Sequence, residues 1–164
     1  MKLRHLPRFA RFAISLTSAL AFLVTPVRAD APGDQYNPYV RADLEIGDAK
    51  TFLSWRRSVA PNLMFSQATV TATSCPQTLG IVYRLPSMKE LLTLVDELPH
   101  DEYENGTLVP KAIDRSAFPS TPSVEFWSGS EYAPNPMMAW VVDFKTGAAR
   151  PRHKMEMHYV RCVR

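Results

Sequence analysis

The chain has 164 residues, 46% of them hydrophobic and 21% charged, which suits one globular core and excludes a disordered polymer. Two cysteines are too few for a disulfide-dense scaffold or a cysteine-rich zinc module. The formal net charge of +3 points to a nucleic-acid partner only if the basic residues lie in the folded part.

They do not. Lys2, Arg4, Arg8 and Arg11 precede an uncharged apolar stretch at 12–24, and Val27-Arg28-Ala29 puts small residues where a signal peptidase reads. This layout predicts a secretory signal peptide over residues 1–29, its apolar run too short for a comfortable permanent span. Cleavage removes Lys2, Arg4, Arg8, Arg11 and Arg28 and no acidic residue, leaving 14 basic against 16 acidic residues and a net charge of −2. The basicity belongs to the leader, so no nucleic-acid partner is expected. No second long apolar run follows, so no membrane span is expected after cleavage. Cys75 and Cys162 both survive it, and an oxidising compartment lets them pair around a loop of nearly ninety residues. Two free buried thiols are the alternative.

Residues 30–38 hold Pro32, Gly33 and Pro38 and read as a flexible lead-in, and 40–46 alternates roughly as a possible first strand. Residues 48–55 read as a short second strand that ends in Arg56-Arg57. At 66–74, Ala68, Val70 and Ala72 stand among threonines, a period ambiguous between helix and strand. The clearest local signal is Ser87-Met88-Lys89-Glu90 after Pro86, a capping box in which Ser87 caps the helix and Glu90 reaches back. Met88, Leu91, Leu92 and Val95 then share one helical face, and Pro99 closes the element. That apolar stripe belongs to the core rather than to catalysis.

Residues 101–123, with Asn105-Gly106, Pro110, Pro119 and Pro122, read as loop, and Asn105-Gly106-Thr107 is a glycosylation sequon only in a eukaryotic secretory host. The rest is β. Residues 126–128 form one strand, and 139–144 form another with Trp140, Val142 and Phe144 on one face. Thr146-Gly147 makes a tight turn, 150–155 returns, and 158–163 closes with Val160 and Cys162 facing inward. Twelve of the 14 prolines follow the leader, which suits long structured loops over a small sheet better than a bundle.

Several of these segments resemble, in order, the Lcl C-terminal domain family, named after a bacterial collagen-like adhesin. Asp48, Thr51, Leu53, Trp55 and Arg57 are similar to its opening Asp-x-x-Thr-Gly-Leu-x-Trp-x-Arg. Phe65 to Ala68 and Cys75 follow its Trp-x-x-Ala and cysteine, and Arg84-Leu85-Pro86-Ser87 with Glu90-Leu91 its Trp-Arg-Leu-Pro-Thr-x-x-Glu-Leu. Ile113-Asp114, Phe118-Pro119, Phe126-Trp127-Ser128-Gly129, Ala139-Trp140 and the ending Tyr159-Val160-Arg161-Cys162 complete it. The similarity covers residues 48–164. Phe52 stands where the family has glycine, and Phe65 and Tyr83 where it has tryptophan.

The resemblance implies an α+β fold, C-type-lectin-like and related to sulfatase-modifying factors: a small twisted antiparallel sheet, two short helices and long loops. It also implies the Cys75–Cys162 bridge, and makes Arg84, Glu90, Asp114, Trp127 and Trp140 a structural signature. Arg84 is expected to fix a carboxylate such as Glu90, Asp96 or Asp114.

No catalytic set stands out. There is no Gly-x-Ser-x-Gly elbow and no His-Glu-x-x-His. The reactive cysteine pair of sulfatase-modifying oxidases is not carried over, because both cysteines here are assigned to the bridge. Ala133-Pro134-Asn135 lacks the carboxylate of the Glu-Pro-Asn motif of calcium-dependent lectins. Neither cofactor nor metal is expected.

Arg150, Arg152, His153 and Lys154 form the densest basic cluster after the leader, a candidate polyanion site whose alternative is a charged, pairing-proof hairpin edge. His153, Met155 and Met157 alternate as soft ligands would on a strand, but core methionines and a surface histidine explain them better. Trp55, Trp127 and Trp140 fit core packing better than a sugar-stacking platform. The expected function is an exported, non-catalytic binding or adhesion module, periplasmic or secreted from a bacterium, recognising a glycan or anionic surface polymer. A structural or protein-interaction domain of the cell envelope and an enzyme of the sulfatase-modifying type are the alternatives.

Overall fold

The computed structural model describes residues 34–38 and 43–164. The leader expected at 1–29 lies outside the described residues, as do 40–42 of the strand expected at 40–46; of its described part, 43–44 is a turn and Glu45 and Ile46 are in a strand. Nine strands are described: β1 (Tyr36–Pro38), β2 (Glu45–Asp48), β3 (Ser54–Met64), β4 (Val95–Glu104), β5 (Thr107–Ile113), β6 (Glu125–Glu131), β7 (Met138–Asp143), β8 (Ala149–His153) and β9 (Met157–Val163). Three single-turn helices accompany them: α1 (Phe65–Ala68), α2 (Thr71–Ser74) and α3 (Met88–Leu92). The α+β class therefore holds with a strong bias to β.

Seven strands form one sheet in the order β1-β2-β3-β9-β6-β7-β8, and β4-β5 form a separate hairpin. The expectation of an antiparallel sheet needs one correction, because β6 and β9 run parallel at Phe126 and Tyr159. That pairing sets the final strand in the middle of the sheet, between β3 and β6.

Both faces of this sheet are covered. Phe126, Val142, Phe144 and Val163 join Trp55, Leu91, Leu94 and Phe118 in one cluster. Trp127, Val141, Val160 and Cys162 join Phe65, Tyr83 and Cys75 in the other. Strand residues point alternately to the two sides, so adjacent apolar pairs such as Phe126-Trp127 and Val141-Val142 feed both cores. The Cys75–Cys162 disulfide ties α2 to β9 with Cα atoms 5.6 Å apart across 87 residues. On the loop-entropy account such a closure stabilises by roughly 4–5 kcal/mol.

Several local expectations shift. Part of the lead-in is β1, paired with β2. Asp48 ends β2 and residues 49–53 are a turn, not a strand: the Asp48 carboxylate accepts the backbone N–H groups of Lys50 and Thr51 at 2.8 and 3.2 Å. The strand begins at Ser54 and carries Arg56 and Arg57 in its interior. Phe52 sits in that turn at φ 59°, a left-handed conformation that costs a non-glycine residue about 1–2 kcal/mol. The ambiguous stretch at 66–74 resolves into the two helical turns α1 and α2.

The helix expected from Met88 to Val95 stops after Leu92, where Thr93 Oγ1 donates to the Glu90 carbonyl, and Val95 already opens β4. The loop expected at 101–123 contains most of the β4-β5 hairpin. Its Asn105-Gly106 tip has both φ angles positive, the two-residue turn that matches strand twist. Pro99 falls where the β4-β5 register shifts, and Pro110 lies on a two-stranded ribbon, so neither breaks a central ladder. Gly147, at φ 75°, is required twice over: a Cβ there would lie 2.7 Å from Val95 Cγ1.

A fully buried arginine, absent from the sequence expectations, closes the core. Arg161 on β9 donates through Nη1 to the carbonyls of Arg56 and Arg57 at 2.8 and 3.1 Å and through Nη2 to Thr121 Oγ1. Its guanidinium lies 4.6 Å from the Phe118 ring centroid. Among the described residues no carboxylate lies within ion-pair distance of it. Burial lowers its pKa to about 9, so it remains a cation at neutral pH. Arg161→Met removes the donors and orphans two carbonyls, a loss of about 3 kcal/mol in urea unfolding. A loss below about 1 kcal/mol would show that the carbonyls find water instead.

Candidate functional site

The basic segment singled out at 150–154 lies on β8, an edge strand, and in the turn after it. Arg150 and Arg152 are two residues apart and so share one face. Their partners come from neighbouring strands. Register places Glu125 of β6 opposite Asp143 of β7, and Ala139 and Val141 of β7 opposite Arg152 and Arg150. Arg152 grips Glu125 with two bonds, Nε to Oε2 at 2.8 Å and Nη2 to Oε1 at 2.6 Å. Arg150 donates from Nη2 to Asp143 Oδ2 at 2.7 Å and holds Nε 3.2 Å from Glu125 Oε1. Lys154 ion-pairs with Glu131 at 2.9 Å and stands 5.0 Å from the Phe65 ring centroid. His153 stands apart, its Nδ1 accepting the Met155 backbone N–H at 3.3 Å.

Glu125 is the hub of this arrangement, and His158 of β9 completes it. The imidazole Nδ1 lies 3.4 Å from Glu125 Oε2, and the ring meets Trp127 edge-on at 4.6 Å. Burial lowers the His158 pKa, with the charges of Glu125 and Glu156 opposing the shift, so the ring is neutral at pH 7. Asp143 also accepts the Lys145 N–H and the Thr146 hydroxyl, each at 2.9 Å, which locks the β7-β8 turn. An open depression of about 530 Å³ lies alongside, bordered by Asn62, Glu125, Asp143, Lys145, His158 and Tyr159. Glu125, Asp143 and His158 were not legible as a group in the sequence. Only strand order brings them to the arginines.

The signature residues separate into four locations. Arg84 pairs with Glu90 alone of its expected partners, Nη1 to Oε2 at 2.8 Å and Nη2 to Oε1 at 2.6 Å. Asp114 caps its own turn, accepting the N–H groups of Ser116 and Ala117 at 2.7 and 2.9 Å. Trp127 is fully buried with Nε1 donating to the Leu63 carbonyl at 2.7 Å, and half-buried Trp140 meets Tyr132 edge-on. Trp55 and Trp127 are core, so the three tryptophans form no sugar-stacking platform. The alternation of His153, Met155 and Met157 does not fall on one strand either. His153 ends β8, Met155 lies in the turn and Met157 begins β9. Tyr83 is buried in the second core, and its hydroxyl donates to Glu45 at 2.8 Å.

Arg84 and the helix cap converge on one carboxylate. Glu90 accepts the Ser87 N–H at 2.8 Å while its own N–H donates to Ser87 Oγ at 3.2 Å. The Arg84 hydrogen bonds are the main cause holding its pKa at about 2, against an ordinary 4.5. The folded value is depressed, so this contribution is complete above about pH 5 and lost as pH falls through 2. Glu90→Gln keeps a capping acceptor but not the charge pair. The variant is expected to melt lower than wild type at pH 7 by the equivalent of about 1 kcal/mol, the gap closing towards pH 2. A gap that stays constant with pH would assign the loss to packing.

Comparison with known proteins follows the same boundaries. No curated protein matches the chain. The profile of the Lcl C-terminal domain matches residues 45–164, from the first residue of β2 to the residue after β9 and well over half of the chain. The chain belongs to the Lcl C-terminal domain family.

Proposed function

We propose that this domain is an extracytoplasmic, non-catalytic binding module with a C-type-lectin-like fold, which holds a glycan or another anionic surface polymer against its β8 face. The observation that carries this reading is the rigid presentation of Arg150 and Arg152. Their side chains are 40% and 36% exposed, while Glu125 and Asp143 fix them from behind. Each guanidinium has five donors and spends only some of them on these carboxylates. A held arginine loses little further freedom on meeting a sulfate or carboxylate, and its fork fits such groups in two-point contact. Lys154 and His153 extend the surface along the following turn.

The acidic groups in the depression favour binding over catalysis. Glu125 and Asp143 spend their charge on the arginines, and neutral His158 is wedged between Glu125 and Trp127. That supports a fixed polar surface rather than a poised acid–base pair. For location, the disulfide suits an oxidising compartment, and among the described residues no helix is long and apolar enough to cross a membrane. The disulfide agrees with the leader expected at 1–29.

A glycan array run with and without calcium tests the reading. Sulfated or uronate-rich polysaccharides are expected to be retained at low salt, equally under both conditions, and released as salt rises. Single arginine substitutions would strand Glu125, so the decisive variant combines Arg150→Gln, Arg152→Gln and Lys154→Gln with Glu125→Gln. Its retention on heparin should fall by about tenfold or more. Unaltered retention in a folded variant, or no retention of the wild type on any array member, removes the proposal.

A further inference from the structure

We infer that the protein docks on lipid bilayer surfaces through two apolar loop tips at the end of the sheet where β9 terminates. Two bulky apolar residues occupy left-handed backbone there. Phe52 has φ 59° and is 89% exposed, and Leu79 has φ 53° and is 73% exposed. Glycine or asparagine would take either conformation more easily. Among the described residues the third non-glycine residue with positive φ is Asn105, the ordinary choice for such a turn. At Phe52 and Leu79 the side chain gains nothing from the core and burdens the backbone. Its use must lie outside the folded chain.

Strand register puts both tips at one end. Trp55 pairs antiparallel with Val163, so the chain running back from Ser54 to Phe52 passes beyond the C-terminal end of β9. Arg84 also pairs antiparallel with Val163, so the chain running back to Val82 passes the same end. Val82 is 65% exposed, and the Thr78–Ile81 bridge closes the short turn that carries Leu79 just before it. Both tips are braced. Asp48 accepts Lys50 and Thr51 N–H groups beneath Phe52, and Arg56 donates to the Pro76 carbonyl at 3.2 Å at the base of the second loop.

The occupant follows from size and shape. Three separate side chains fall far short of the roughly 1,000 Å² that a specific protein interface buries. A bilayer needs no matching shape, and each apolar side chain of this size that enters it raises partition by roughly tenfold or more. Lys50, half-exposed two residues from Phe52, carries its alkyl stem beside this tip, with its ammonium 3.5 Å from the exposed Asp34 carboxylate.

The purified protein is spun with vesicles of phosphatidylcholine, and with vesicles of equal parts phosphatidylcholine and phosphatidylglycerol. Wild type is expected to sediment with both. Phe52→Gly and Leu79→Asn should each lose about tenfold in partition and both together leave the vesicles, while each melts at or above the wild-type temperature. Wild type that stays in the supernatant with both vesicles overturns the inference. Variants that bind as wild type also overturn it. Self-association that these substitutions abolish, without vesicle binding, would assign the tips to a second copy of the chain and overturn it too.

Discussion

The fold depends on a positive charge sealed in its centre. Arg161 is fully buried, and the transfer of a bare cation into such a place is unfavourable unless the surroundings supply acceptors in place of solvent. The replacement comes from an irregularity. The β3-β9 register shifts between Trp55 and Val59, so the carbonyls of Arg56 and Arg57 accept from Arg161 across this break. Cation and bulge are complementary: the break presents acceptors at the place where the guanidinium supplies donors. Phe118 offers its ring face to the charge, and Thr121 accepts from Nη2, which leaves Nε without a hydrogen-bond partner among the described residues. Segments 56–57, 118–121 and 161 are thereby fixed to one point.

That point lies on the strand that organises everything else. β9 carries Cys162 into the disulfide on one face and Val163 into the other core, and it borders both β3 and β6. β9 follows both of its neighbours in sequence and lies between them, about a hundred residues from β3. The fold therefore relies on contacts distant in sequence, of the kind that form slowly. Once formed, the disulfide lessens this difficulty, because it keeps β9 close to Cys75 in the unfolded chain.

How far the sequence discloses this structure depends on the range of each interaction. The Ser87–Glu90 capping box is legible because all its parts lie within four residues. The Arg84–Glu90 pair is nearly so. The β4-β5 hairpin was hidden because its strands are solvated: Asp101, Glu102 and Glu104 blur the alternation that a half-buried strand would show, and the Asn105-Gly106 turn reads equally well as a loop. Buried Arg161 left no trace, since nothing local announces that a break 100 residues earlier will present two carbonyls. The basic segment of the candidate site was legible as residues but not as charge. Glu125 and Asp143 reach it only through strand order, and a positive patch in the sequence becomes a balanced network in space.

That balance bears on what such a surface can hold. An uncompensated cluster of arginines would attract any polyanion at a distance and hold it loosely, with the strong salt dependence of long-range attraction. Arginines already neutralised by Glu125 and Asp143 attract little from afar, and the chain after residue 29 carries a net −2. What they offer is direction: donors locked in position, with their side chains 40% and 36% exposed beside a depression that also holds Lys145 and Tyr159. Such a surface selects by the spacing of acceptors on the ligand rather than by total charge. A polymer that repeats its sulfates or carboxylates regularly, with hydroxyls between them, meets that demand better than a flexible chain of equal charge, because the arrangement on both sides is set before contact.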